Sequence, residues 1–228
     1  MDDRKKIALA RISQHERQHK NQKYVFIDNK SKITNVIFTG ASQQYYMMIT
    51  WFTGANKDSL KYNYLYLNAI YDDVTEEIIN SISYPTTEIY NMIGISYGGA
   101  AAIFYSGKFR TNAVVSIDAV PIFNFENWSL ETILRDNKRL SGGKSVFFIH
   151  HSTHQHDIIR HNKFFDVFRN TDTQYFCKCS CIPVHSGNIP NESIILRYIH
   201  FGESLNSHSM DFVMKDIKDS GALFLEWT

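Results

Sequence analysis

Three cysteines in 228 residues are too few for a disulfide framework, and an odd number argues the same way. They are Cys177, Cys179 and Cys181, at every second position, which on a strand puts all three on one face. One-residue spacers make poor zinc geometry beside the usual longer ones, so we read them as small buried hydrophobes. An excess of one charge is lacking too. Lys and Arg number 24 against 23 Asp and Glu, a net charge of +1 with His neutral. Bulk attraction to nucleic acid or to an anionic membrane is thereby excluded as the basis of function. No apolar run reaches the length of a membrane-spanning helix, and the opening MDDRKKIALARISQ lacks the apolar centre of a secretory signal. A cytoplasmic location is expected, with association to a membrane-bound complex left open. Internal repeats and low-complexity tracts are missing as well.

What is present is a chain of ordinary apolar content, 43%, and 14% aromatics. It suits one domain over residues 1–228 that can bury a proper core. Residues 1–24 form a basic N-terminal extension, either a short helix or an edge addition to a sheet. The rest alternates strand and helix patterns. Strands are expected at Tyr24 to Ile27, Ile33 to Phe38, Lys61 to Tyr71, Ile89 to Ile95, Asn112 to Ile117, Lys144 to Ile149 and Gln174 to Ile182. A helix is expected from Thr75, as N-cap, to Ser83, others near 158–168, 191–199 and 204–219, and a docked apolar tail from Ala222 to Trp227. That alternation predicts an α/β fold with a mostly parallel central sheet and helices on both faces.

The stretch that organises the chain is EIYNMIGISYGGAAAIFYSGKF, Glu88 to Phe109. An apolar strand breaks at Gly94-Ile95-Ser96-Tyr97-Gly98 and runs on through Gly99 and three alanines into an apolar helix. Strand, glycine-flanked serine turn and helix form the setting of a nucleophile elbow, in which the serine takes φ > 0 and its neighbours must be small. The turn also puts Ser96 at a helix N-terminus, where backbone N–H groups favour developing negative charge. A chance Gly-x-Ser-x-Gly is the competing reading, and the flanking strand and helix speak against it.

A serine hydroxyl needs a base, and the base needs an acid to orient it. Both are sought at the carboxyl ends of the strands. Asp157 follows one strand and His185 the next, in the order Ser, Asp, His. Asp118 competes for the acid and His208 for the base. After Phe38, Thr39-Gly40-Ala41 fits a loop over the elbow. Gly40 would admit close approach of substrate, and the N–H of Ala41, with that of Tyr97, would form the oxyanion hole; a plain glycine turn is the alternative. Pro121 to Gly143 separates two strands and is either a cap insertion, with Trp128 as a pocket wall, or one crossover helix. Gln43 to Trp51, rich in aromatics, lines a pocket or packs. His150, His151, His154 and His156 with Asp157 offer enough ligands for a metal, but no H-E-x-x-H helix accompanies them, and we expect none.

On Gly94 to Gly99, Asp157 and His185 the chain resembles the α/β-hydrolase superfamily, from about Ile33 onward. GISYGG followed by AAAIFYSGKF, and a histidine followed by NESIILRYI, are similar to bacterial O-acetyltransferases that decorate capsular polysaccharides, although the loop before Asp157 is here unusually rich in histidine. The resemblance implies acyl transfer through a seryl ester, with no cofactor beyond acetyl-coenzyme A as donor if the enzyme is a transferase. It implies a small-molecule or carbohydrate ester as substrate, and either water or a sugar hydroxyl as acceptor. A non-catalytic binding or assembly protein of the same fold is the alternative.

Overall fold

In a computed structural model the described residues are 10, 12–40, 61–68, 72–82, 87–117, 119, 129–143, 145–152, 166–168, 170, 176–182 and 224–227. They build one nine-stranded sheet: β1 (Glu16–His19), β2 (Gln22–Ile27), β3 (Ile33–Phe38), β4 (Asn63–Leu67), β5 (Ile89–Ile95), β6 (Thr111–Ile117), β7 (Val146–Ser152), β8 (Phe176–Ile182) and β9 (Phe224–Trp227). Their spatial order is β1-β2-β4-β3-β5-β6-β7-β8-β9. The six strands from β4 through β8 run parallel, and β1, β2 and β9 are antiparallel at the two edges. The expected α/β class is the one observed.

Among the described residues, α1 (Asp73–Ile82), α2 (Tyr97–Ser106) and α3 (Leu130–Ser141) are the three α-helices that stand between strands. All three pack on the same face of the sheet. Ile78, Ile79 and Ile82 of α1, Ala101 to Tyr105 of α2, and Leu130, Ile133 and Leu134 of α3 share one core with Val36, Phe38, Met92, Val114, Phe147 and Ile149. Strand alternation sends Ile37, Ile93, Val115 and Phe148 to the opposite face, and these are buried as well. A helix apolar all round belongs inside a protein, and α2 is buried from Gly98 to Ser106. No helix among the described residues is long and apolar enough to cross a membrane.

The basic extension takes the edge form of its two expected ones, as β1 in a hairpin with β2 that turns through Lys20 at φ 50°. The hairpin is tied to α1 where His19 Nε2 and Lys20 Nζ both meet the Glu77 carboxylate, at 2.8 and 2.7 Å. The cap of α1 is Asp72, not Thr75: Asp72 Oδ1 accepts the Thr75 N–H at 2.8 Å. The Thr75 hydroxyl is buried and donates to Gln22 Oε1 at 3.3 Å, so it has no role left as a cap. Strand β4 is shorter than the apolar run suggested, ending at Leu67. The strand expected to end at Ile149 runs on through the backbone of His150 and His151 to Ser152 as β7. The three cysteines occupy alternate positions of β8, and the apolar tail docks on it as β9.

Residues 130–141 of the candidate cap are a crossover helix, amphipathic and well delimited. Ser129 Oγ accepts the Thr132 N–H at 3.1 Å, and Gly142 takes φ 63° at the other end, where the Gly143 N–H reaches Lys138 O at 2.9 Å. Asn137 fastens it to the body of the protein. Its buried Nδ2 donates to Ser106 O at 3.0 Å and to Thr111 Oγ1 at 2.6 Å. Asn137→Ala leaves that carbonyl and hydroxyl short of a donor in a dry site. We expect a loss of about 2 kcal/mol, read as a melting temperature about 4–8 °C lower.

Candidate active site

The sheet has one place where strand laying reverses direction. From β3 the chain continues to β4 on one side, whereas from β5 it continues through β6, β7 and β8 on the other. The carboxyl ends of β3 and β5 therefore flank a crevice at a topological switch point, the general ligand position in open α/β sheets. Ser96 stands there, immediately after β5.

Its backbone has φ 53° and ψ −118°, outside even the left-handed helical well, which lies near ψ +47°. The strain is imposed from three sides. The Ser96 N–H donates to Ile117 O of β6 at 2.7 Å, while the Ser96 carbonyl accepts from Gly99 and Ala100 at 3.0 and 3.3 Å to open α2. A Cβ on Gly94 would lie 2.0 Å from Gly98 O, and a Cβ on Gly98 would lie 2.3 and 2.4 Å from the carbonyl oxygens of Phe38 and Thr39. Both flanking glycines are thus required by backbone contact. Gly99 is tight for a different reason: its Cβ would stand 3.0 Å from Ser116 Oγ, which donates to Gly99 O at 3.1 Å.

A serine at a helix N-cap ordinarily spends its hydroxyl on the first-turn N–H groups. Ser96 makes no such side-chain cap bond. It is half-buried, as is Tyr97, while Gly98 behind them is buried. The first N–H groups of a helix have no carbonyl of their own helix to bond, and α2 begins at Tyr97 beside the Ser96 side chain. An acyl oxygen placed over the turn would therefore meet N–H dipoles rather than carbonyls.

Gly40 is buried at the end of the β3 segment, two residues beyond Phe38, and Thr39 before it is anchored by its N–H to Leu67 O at 3.1 Å. Gly40 thus directly follows Thr39, whose carbonyl abuts Gly98 of the elbow. Ala41, Trp128, Asp157 and His185 lie outside the described residues, as do the rival acid Asp118, the rival base His208, His154, His156 and Gln43 to Trp51. Among the described residues no group of three or more His, Cys, Asp or Glu side chains is placed to hold a metal ion.

Two features escaped the sequence. Phe38 and Tyr105 stack with ring centroids 5.3 Å apart, and burial pushes the Tyr105 phenol well above its ordinary value, so its O–H stays a donor and reaches Asp72 O at 3.3 Å. The grip of Ser116 and Ile117 on the elbow also had no motif. The doublet Gly98-Gly99 was its one visible trace, since it tells of backbone crowding on both sides of the turn.

No family model and no curated protein matches this chain. Solved structures do. The fluorophosphonate-binding serine hydrolase FphF of Staphylococcus aureus is similar at a TM-score of 0.51 and 13% identity, over 79% of this chain and 92% of that one. The epoxide hydrolase CorEH is similar at a TM-score of 0.50 and 10% identity, over 82% of this chain and 98% of that one. At such identities the likeness is one of fold.

Proposed function

From a chain that has the α/β-hydrolase fold, with a strained serine at its switch point, we propose a serine-dependent acyl-transfer enzyme. The observation that carries the reading is the backbone of Ser96, held at φ 53° between two glycines that nothing larger can replace. Strain of this kind persists where the surrounding structure fixes it, and it collects at reactive sites. A serine hydrolase among the solved structures with the same fold supports the same chemistry.

In this mechanism His185 takes the Ser96 hydroxyl proton as Oγ adds to an ester or thioester carbonyl. The N–H groups of Tyr97 and Ala41 hold the oxyanion, and Gly40 leaves room for it. The C–O or C–S bond then breaks, the leaving alcohol or thiol takes the proton from His185, and the acyl group rests on Ser96 as an ester. Water or a sugar hydroxyl, deprotonated by the same imidazole, resolves it. Asp157 orients His185 and offsets its charge. The acyl group is short, an acetyl, and the molecule it leaves or joins is polar and carbohydrate-like, with Trp128 against it. Acetyl-coenzyme A is the donor in the transferase form.

Chain reach supports this assignment. Neighbouring strands stand about 4.8 Å apart, so β8 is about 14 Å from β5. His185 follows the end of β8 with only Pro183 and Val184 between. Three extended residues span about 10 Å, and an imidazole side chain supplies the rest. Asp157 follows β7, one strand nearer, with Thr153 to His156 as slack. Asp118 directly follows Ile117 of β6, whose carbonyl accepts the Ser96 N–H, which makes the rival assignment worth testing.

The test is turnover of an aryl acetate, and of acetyl-coenzyme A with and without an oligosaccharide acceptor, followed by alcohol or thiol release. Acceptor-dependent thiol release identifies the transferase, and acceptor-independent hydrolysis the esterase. Asp157→Asn should cost about 10⁴-fold in kcat, and Asp118→Asn little. The reverse ranking moves the acid to β6. Turnover of neither substrate by folded protein would leave a binding module.

A further inference from the structure

Phe38, the last residue of β3, is held at both of its ends by a single helix. Its carbonyl oxygen abuts Gly98, 2.3 Å from where a Cβ would stand. Its ring stacks on Tyr105, two turns further along the same stripe of α2, with centroids 5.3 Å apart and planes 6° from parallel. The two contacts act in opposite senses. The carbonyl against Gly98 is a stop that sets the closest approach of β3 to the elbow, and the ring pair is the attraction that draws β3 against that stop. Tyr105 is itself fixed: its ring meets Phe104 edge-on at 4.8 Å, and its hydroxyl bonds to Asp72 O. The Asp72 carboxylate accepts from Gln22 Nε2 at 3.0 and 2.9 Å, which ties the arrangement to β2.

We propose that the stacked Phe38–Tyr105 pair is a positioning device that sets the height of the backbone at Thr39 and Gly40 against Ser96. The proposal rests on the acyl-transfer reading above. An oxyanion site works only if its donors stand in place before charge develops, and a shift of about 1 Å at such a site costs about 100-fold in rate. Thr39 is tethered to β4 through Leu67 O, and its carbonyl, like that of Phe38, stands against Gly98 of α2. Neither ring touches substrate in this account; both act through the backbone they hold.

The experiment compares kcat and KM on an aryl acetate, and the rate of fluorophosphonate labelling, across the parent and its variants at a temperature where all are folded. Tyr105→Leu and Phe38→Leu should each lower kcat and the labelling rate by about ten-fold or more, with KM within about two-fold, because transition-state stabilisation is lost and ground-state binding is not. Tyr105→Phe keeps the stack and should stay within about two-fold of the parent, as rescue by the conservative change. Phe109→Leu breaks a comparable ring pair, Tyr90–Phe109 at 5.3 Å, near the amino end of β5. It should lower stability and leave kcat alone. The proposal is overturned if both leucine variants keep the parent kcat, or lose no more than Phe109→Leu does. Should Tyr105→Leu fail to fold, Phe38→Leu carries the same expectation alone. If the parent shows no turnover that Ser96→Ala abolishes, the acyl-transfer reading has failed and takes the positioning role with it.

Discussion

Replacing Gly94 or Gly98 by alanine is expected to abolish acyl transfer and to lower the melting temperature by about 6–12 °C. The reason lies in what the added methyl would strike. At Gly94 it meets the Gly98 carbonyl at 2.0 Å, and at Gly98 it meets two carbonyls of the β3 end at 2.3 and 2.4 Å. Backbone atoms cannot rotate aside as a side chain can, so the strand and the helix must part. Overpacking of this severity costs about 3 kcal/mol, which at this chain length corresponds to the stated shift. In Gly98→Ala the separation of β3 from α2, and in Gly94→Ala that of β5 from α2, also displaces the turn that carries Ser96, so activity should fall further than stability alone explains. Gly99→Ala is the graded comparison: its closest neighbour is a serine hydroxyl at 3.0 Å, which can turn, and about 1 kcal/mol is expected. Thermal melts alongside ester turnover for the three variants check the order.

The second large effect dissociates stability from activity at one position. Ser96→Ala should remove turnover by about 10⁴-fold or more and leave the melting temperature where it was, since alanine suffers the same backbone strain. Ser96→Gly should be as inactive and yet more stable than the parent. A side chain at φ 53° and ψ −118° costs about 1–3 kcal/mol, and glycine relieves it at an entropic cost of about 0.5–1 kcal/mol. A net gain of about 1 kcal/mol, or about 2–4 °C, is expected. Were Ser96→Gly less stable than the parent, the turn would be relaxed in the native protein and the strain argument would fail.

The elbow was legible because its requirements are local. A strand of β-branched and apolar residues, two glycines set by backbone collision, and a run of alanines each leave a mark within a dozen positions, and Ile89–Ile95 and the start of α2 stand where the pattern put them. The parallel sheet was legible for a similar reason, since β3, β5 and β6 are apolar runs buried on both faces, set apart by helix patterns. What failed was decided by partners distant in sequence. Thr75 looked like a cap until Gln22, from another strand, took its hydroxyl and left the helix start to Asp72. His150 and His151 look like loop residues because they are polar, yet β7 continues through them alongside β6 and β8. The Phe38–Tyr105 stack joins residues with no sequence signature at all; only the packing of α2 on β3 brings them together. Of the site, the serine could be read from its motif. The acid and the histidine had only their order after successive strands to identify them.

The most direct test of the account is the mass of the intact protein after exposure to a fluorophosphonate, with the adduct mapped by peptide. The account predicts a single adduct on Ser96, lost in Ser96→Ala at unchanged melting temperature. No adduct on folded protein, or one that persists in Ser96→Ala, would contradict it.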